Sequence, residues 1–241
     1  MEKSLKGRTV LVTGANGGLG EQFVLQALER DANKVYAAAR TPRQWNDARI
    51  HAVALDITNP QAVADVAALA TDVDLLINNA AIAPAGDSMS GPEDELRRIF
   101  ETNFFGNLRV ANAFAPVLAT HGGGTILNIL SAAAWVGLPT GYSVSQAAMW
   151  SATNGLRFQL ESQNTQVIGL LVGMIDTPMA ARWDVPKVTA ASVVAKAYDG
   201  VADGAMEILA DESTKGLKSM LSLRGEELYP MLYQQLASFK P

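Results

Sequence analysis

Two stretches of the chain combine residue types that could do chemistry. The first, TGANGGLG at 13–20, carries glycines at 14, 18 and 20 in the spacing G-x-x-x-G-x-G. Glycine permits a tight turn and a close backbone approach to a ligand, and a helix starting there offers free N–H groups to phosphate. Gly14, Asn16, Gly18, Leu19 and Gly20 are therefore its candidate ligand-binding residues, although the loop is also compatible with an ordinary strand-to-helix turn. The second stretch, GYSVSQ at 141–146, places Tyr142 four positions before Gln146 at the start of a helical segment. A phenol can donate or accept a proton, whereas an amide can hydrogen-bond but has no charge.

A third feature lies beyond the second apolar run, where Arg40 follows Ala39 with Arg43 close by and no acid occurs between Asp31 and Asp47. A dinucleotide fold usually sets a carboxylate about 20 residues past the glycines to hold the ribose 2′-OH of NAD. Arginine instead suits the 2′-phosphate of NADP, because its planar fork pairs with phosphate oxygens. The expected cofactor is NADP(H) rather than NAD(H); a solvated loop arginine is the alternative reading of Arg40.

These residues must be positioned by alternating elements. RTVLVT, KVYAAA, HAVALD, VDLLIN, GTILNIL, TQVIGLLV and MEILAD read as strands. Each is continuously apolar, the pattern of strands covered on both faces. Helix-compatible segments lie at 18–30, 60–70, 93–119, 143–162 and 192–203, the third opened by SGPEDELRR with proline and acids in its first turn. The alternation predicts an α/β fold: one doubly wound, Rossmann-like parallel sheet with helices on both faces. No Ser/Gly-rich linker or repeat divides the chain, so residues 1–241 are expected to form a single domain, with terminal helices after 211 on the sheet edge.

Composition narrows the function classes. The net charge of −5 opposes binding to nucleic acid, and the absence of cysteine excludes disulfides and thiol chemistry. His51 and His121 share no arrangement with acids, so no metal site is expected. The N-terminus lacks a signal-peptide pattern and VIGLLVGMI is too short to span a bilayer, which makes a cytoplasmic protein with no membrane partner the expectation.

In order along the chain, TGANGGLG, LDIT at 55–58, NNAA at 78–81, TNFFG at 102–106, NILSAAA at 128–134, YSVSQ at 142–146 and VGMIDTPM at 172–179 resemble the motifs of the classical short-chain dehydrogenase/reductase family. The resemblance runs from about residue 8 to 180. It implies that Tyr142 donates a proton to a carbonyl oxygen, that Ser131 hydrogen-bonds that oxygen, and that Asn103 holds a water in the proton path. It further implies that Asp56 and Ile57 contact adenine and that Asn79 and Ala80 support the cofactor loop. Gly173, Ile175 and Thr177 would lie at the nicotinamide. Each has a plainer alternative: a helix-start aromatic for Tyr142, a strand-end hydroxyl for Ser131, a buried amide for Asn103.

Four departures stand out. Gln146 replaces the family's lysine, which grips the ribose and lowers the tyrosine pKa. Without that cation a phenol near pKa 10 stays protonated around neutrality, a loss more damaging to alcohol oxidation than to carbonyl reduction. Ser131 and Tyr142 are 11 positions apart, against about thirteen in the family. Ala81 stands in place of a glycine, and Val172 in place of a proline. The segment PMAARWDVPKVTAA is short for a lid, and Trp135, Leu138, Met179 and Trp183 are candidates for lining an open, hydrophobic substrate site or for plain core packing.

The leading expectation is an NADP(H)-dependent oxidoreductase acting on a small, hydrophobic carbonyl or alcohol, its proton relay weakened by Gln146. A non-catalytic NADP-binding sensor or scaffold is the alternative. Cofactor-free dehalogenation is disfavoured by the glycine loop. The resemblance also implies a homodimer or homotetramer through the helices at 93–119 and 143–162, whose apolar residues include Phe100, Phe104, Val110, Phe114, Trp150 and Phe158. Burial of these faces inside one subunit is the other possibility.

Overall fold

The computed structural model describes residues 3–237; positions 1–2 and 238–241 of the span assigned to one domain lie outside the described residues. The elements run β1 (Thr9–Thr13), α1 (Gly18–Glu29), β2 (Lys34–Ala39), β3 (Ile50–Ala54), α2 (Pro60–Leu69) and β4 (Leu75–Asn78). There follow α3 (Glu93–Phe100), α4 (Asn107–Thr120), β5 (Gly124–Ser131), α5 (Gly141–Leu160) and β6 (Thr165–Val172). The chain then forms β7 (Ile175–Asp176), β8 (Val188–Thr189), α6 (Ala190–Ala202), β9 (Glu207–Leu209), α7 (Glu212–Met220) and α8 (Gly225–Ala237).

Seven strands form one parallel sheet in the order β3-β2-β1-β4-β5-β6-β9, and β7 pairs with β8 in a short separate ribbon. Strand order reverses between β1 and β4, so the chain leaves those two strands toward opposite sides and opens a crevice at their carboxyl ends. Alternation along β1 supplies both layers. Val10 and Val12 face a core with Phe23, Val194 and Tyr198, while Leu11 faces Phe114, Leu118 and Leu156 on the other side. Phe23 and Phe114 are wholly enclosed, and burial of each contributes about 1.5–3 kcal/mol. The edge strand β3 departs from two-sided burial, with His51, Ala52 and Ala54 exposed.

Helix starts follow local chemistry. Asn59 caps α2, its oxygen accepting from the Gln61 N–H at 2.9 Å, with Pro60 in the first turn, and Thr189 caps α6. The helix expected over 93–119 is not uniform: a π-helical stretch, Glu101–Gly106, separates α3 from α4. Such a stretch widens the helix by a residue and frees carbonyls. Here the Asn107 side chain donates toward the carbonyls of Thr102 at 3.2 Å, Asn103 at 3.1 Å and Ala80 at 3.0 Å. Val110 and Phe114, expected at an oligomer face, are buried within the subunit because they face the sheet; Phe158 on α5 is 84% exposed. The segment after 211 forms α7, beside β9, and α8. Both cover the loop after β5, where Val136 and Leu138 pack on Leu217, Leu221, Leu228 and Leu232. Among the described residues no helix is long and apolar enough to cross a membrane.

Candidate active site

The glycine loop lies at the crevice between β1 and β4. Gly14 has φ +66, a left-handed conformation, and a side chain at Gly20 would overlap the Gly14 carbonyl oxygen. Helix α1 begins after Gly17 with no side-chain cap, so its first N–H groups, including those of Gly18 and Leu19, are left for an anion. The loop is held from below: the Thr13 hydroxyl accepts from the N–H groups of Asn79 and Ala80, both at 3.0 Å. The Asn79 amide donates to the Thr13 carbonyl at 2.8 Å. From the side, Asn16 donates to the Thr41 carbonyl at 2.6 Å, and Thr177 lies against Gly18. An uncapped helix end, a close-packed glycine turn and an adjacent cation together suit a dinucleotide.

That cation is Arg40, which is exposed and makes no side-chain hydrogen bond among the described residues. Arg43 is otherwise engaged, 2.6 Å from Glu21 and stacked 3.8 Å above the Trp45 ring. Asp56 lies near Arg40; hydrogen bonds from the Thr58 hydroxyl and N–H hold its carboxyl below the ordinary 3.8, with the Arg40 charge adding to them. Ile57 turns its side chain into the core, and its carbonyl accepts from the Arg109 guanidinium at 2.7 Å.

Ser131 ends β5 and Tyr142 opens α5, and the Ser131 hydroxyl lies near enough to the Tyr142 phenol to act on it although the connection is short. A 3-10 turn at Ala132–Ala134 shortens the path, with the Ser131 hydroxyl accepting from the Ala133 N–H at 3.1 Å. The Ser143 hydroxyl lies within bonding distance of the carbonyls of Ala133, 2.7 Å, and Val136, 2.8 Å, joining this connection to α5. Burial pushes the Tyr142 phenol above its ordinary 10, while the Ser131 hydroxyl beside it pulls the other way by less. The residue is half-buried, with part of its surface reaching solvent.

Gln146 is 3% exposed, and its Oε1 accepts from the Ser131 N–H at 2.9 Å. A backbone N–H can only donate, which fixes the amide oxygen toward Ser131 and turns the NH2 away from it. Among the described residues no positive side chain acts on Tyr142. Asn103 sits in the π-helical stretch, 1% exposed, with its oxygen accepting from the Ile82 N–H at 2.8 Å. Its amide donates to the Ile82 carbonyl at 2.9 Å and to the Ser145 hydroxyl at 3.1 Å. The side chain is thus consumed in hydrogen bonds, and its main-chain carbonyl, which accepts from the Asn107 amide at 3.1 Å, has a second lone pair that could hold water.

The segment after β6 is anchored by a residue that the sequence reading missed. The Gly173 N–H donates to Asp211 at 2.7 Å, and the same buried carboxylate caps α7. Ile175 packs on the core beside α1 and α6, and Thr177 donates weakly to its carbonyl at 3.4 Å. Asp211 before Glu-Ser-Thr carries a recognisable N-cap signal; its long-range bond to Gly173 carries none. Of the four substrate-side candidates, Trp135 packs with Leu130, Met149 and Leu171, and Leu138 joins the contacts with the C-terminal helices. Met179 remains 43% exposed and Trp183 half-buried.

This geometry agrees with comparisons to known proteins. A family model described as short chain dehydrogenase matches residues 8–187. An uncharacterized oxidoreductase of Staphylococcus haemolyticus is 30% identical over 75% of this chain and 83% of its own length. A 1-deoxy-11-beta-hydroxypentalenate dehydrogenase of Streptomyces avermitilis is 32% identical over 73% of this chain and 71% of its own. The crystal structure of a short chain dehydrogenase from Burkholderia cenocepacia in complex with NADP superposes with a TM-score of 0.89 at 34% identity, covering 95% of this chain and 99% of that one. A doubly wound sheet, a glycine loop at its switch point and a match over most of the chain lead to one conclusion: the chain belongs to the short-chain dehydrogenase family.

Proposed function

We propose that the protein is an NADP(H)-dependent oxidoreductase that reduces a hydrophobic carbonyl compound to an alcohol. The observation that carries this reading is the placement of Ser131 at the end of β5 and Tyr142 at the start of α5, linked through Gln146 and lying at the carboxyl end of the sheet with an uncapped helix end and an exposed arginine. NADPH supplies hydride when bound. The glycine loop, with Gly14, Asn16, Gly18, Leu19 and Gly20, holds the pyrophosphate, and Arg40 binds the 2′-phosphate. Asp56 and the Ile57 backbone flank adenine. Asn79 and Ala80 support the loop, and Gly173, Ile175 and Thr177 shape the nicotinamide end.

Tyr142 gives its proton to the carbonyl oxygen, and Ser131 donates a hydrogen bond to the same oxygen as negative charge develops there. Gln146 takes the position of the family's lysine. Its oxygen orients the Ser131 backbone, and its NH2 can bond a ribose hydroxyl without lowering the phenol's pKa. The Asn103 carbonyl holds the water that reprotonates Tyr142. Trp183 and Met179 border the substrate. The span 1–241 is read as one cytoplasmic domain that assembles as a homodimer or homotetramer through the helices at 93–119 and 143–162, where Phe158 is exposed, and binds neither nucleic acid nor membrane.

A second reading, a non-catalytic NADP-binding sensor or scaffold, draws on the same glutamine, whose oxygen is already committed to the Ser131 backbone. A screen of aryl ketones, quinones and aldehydes with NADPH separates the two. Turnover that Tyr142→Phe lowers by about a hundredfold or more supports the oxidoreductase. Tight NADPH binding with no turnover on any carbonyl supports the sensor.

A further inference from the structure

The loop between β4 and α3 touches the proposed site at three places. The Ile82 backbone bonds the Asn103 side chain, with both of its links below 3.0 Å. The Met89 N–H donates to the Pro139 carbonyl at 3.0 Å, just before α5. Between them Asp87, half-buried, accepts from the Gly141 N–H through Oδ1 at 2.9 Å and from the Tyr142 N–H through Oδ2 at 2.8 Å. Thr140 takes the next donor, the Ser143 N–H, at 3.1 Å.

The two functional helix starts are therefore treated oppositely. Helix α1 has no side-chain cap and leaves its N–H groups to a ligand, whereas α5 has three successive donors satisfied by protein. First-turn residues fray when their N–H groups lack partners. Tyr142 is such a residue: its own N–H is one of the two that Asp87 holds, so the direction of its side chain depends on that turn.

We propose that Asp87 is a positioning residue for Tyr142: by binding the N–H groups of Gly141 and Tyr142 from a loop 55 positions away in sequence, it sets where the phenol stands relative to Ser131. The inference rests on the proposed function, in which that phenol is the proton donor. It gives the loop after β4 a role in the reaction through a residue outside the glycine loop and outside the Ser131–Tyr142–Gln146 set. Misplacement of a reacting group by about an ångström can cost about a hundredfold in rate.

The test uses the full chain with NADPH and phenanthrenequinone, or another aryl ketone or quinone from the screen, and compares the parent, Asp87→Ala, Asp87→Asn, Tyr142→Phe and Asp87→Ala/Tyr142→Phe. Asp87→Ala should lower kcat by about ten- to a hundredfold while the NADPH dissociation constant stays within about twofold. Asp87→Asn keeps one acceptor in the same shape and should recover part of the rate; it also serves as the test variant if the alanine protein does not fold. In the Tyr142→Phe background Asp87→Ala should cause little further loss, because the group it positions is gone. An Asp87 variant with parental kcat, beside an inactive Tyr142→Phe, overturns the inference and leaves the proposed function standing. A drop of equal size in both backgrounds assigns Asp87 a purely structural role and overturns it too. A parent that turns over no carbonyl, or a fully active Tyr142→Phe, removes the proposed function and the inference with it.

Discussion

The side-chain oxygen of Gln146 accepts the backbone N–H of Ser131 at 2.9 Å, so a residue of α5 holds the end of the strand that carries the serine. A lysine could not make this bond, because an ammonium only donates. Gln146→Leu removes the acceptor and keeps the bulk. It should lower unfolding stability by about 1–3 kcal/mol and slow carbonyl reduction, with Gln146→Glu restoring the stability but not the rate of alcohol oxidation. Denaturant unfolding and initial rates in both directions check this.

The pH dependence follows from Tyr142. Burial raises its phenol above 10, the Ser131 hydroxyl offsets this only in part, and among the described residues no neighbouring cation favours phenolate. The acid form that reduction needs is complete below the phenol's pKa and is lost as pH rises through it. Reduction should therefore hold level through neutrality and decline only in strongly alkaline solution. Oxidation, which needs phenolate, should rise by about tenfold per pH unit over the same neutral range. Profiles of kcat against pH in the two directions decide; a reduction limb near neutrality would contradict the assignment.

Arg40 is exposed and makes no side-chain hydrogen bond among the described residues, while Arg43 is tied to Glu21 and Trp45. Arg40→Ala should raise KM for NADPH by about ten- to a hundredfold, corresponding to about 1.4–2.8 kcal/mol, and leave KM for NADH nearly unchanged. Arg43→Ala should have the smaller effect on the NADPH-to-NADH ratio. Equal losses for both cofactors would move the 2′-phosphate away from Arg40.

Asp211 links α7 to the segment after β6. Its burial pushes the carboxyl upward, but hydrogen bonds from Gly173, Ser213 and Thr214 outweigh that and hold it below the ordinary 3.8. The folded-state value is depressed, so its stabilisation is fully present above the unfolded pKa and is lost as pH falls through the folded value. Asp211→Ala should cost about 1–3 kcal/mol for each buried donor left unpaired, flatten the acid limb of the stability profile and raise KM for NADPH. Thermal unfolding between about pH 7 and pH 3, run for both proteins, tests the sign.

Much of this architecture was legible because its signals are local. Continuous apolar runs such as TVLVT and TQVIGLLV mark strands covered on both faces, and each lies within a residue or two of its observed span. The glycine loop is equally plain, since its glycines answer to backbone geometry inside eight residues. What escaped was carried by backbone partners far along the chain. The bonds from Asp87 to Gly141 and Tyr142, from Asp211 to Gly173 and from Gln146 to Ser131 involve N–H groups that every residue but proline has. The π-helical stretch at Glu101–Gly106 is likewise invisible in apolar spacing, because what accompanies it is the reach of Asn107 to freed carbonyls. Val110 and Phe114 show the reverse ambiguity: a helix face that reads as a candidate interface is the face that packs on the sheet.

The measurement closest to the central claim is NADPH binding and turnover, in both directions, for this protein and Gln146→Lys side by side. The parent should bind NADPH and reduce carbonyls while oxidising the corresponding alcohols poorly. Gln146→Lys, by adding a cation beside the phenol, should raise the oxidation-to-reduction ratio at neutral pH by at least about tenfold, the equivalent of one unit in the phenol's pKa. A parent that binds NADPH yet turns over nothing, with Gln146→Lys equally silent, would contradict a proton donor at Tyr142.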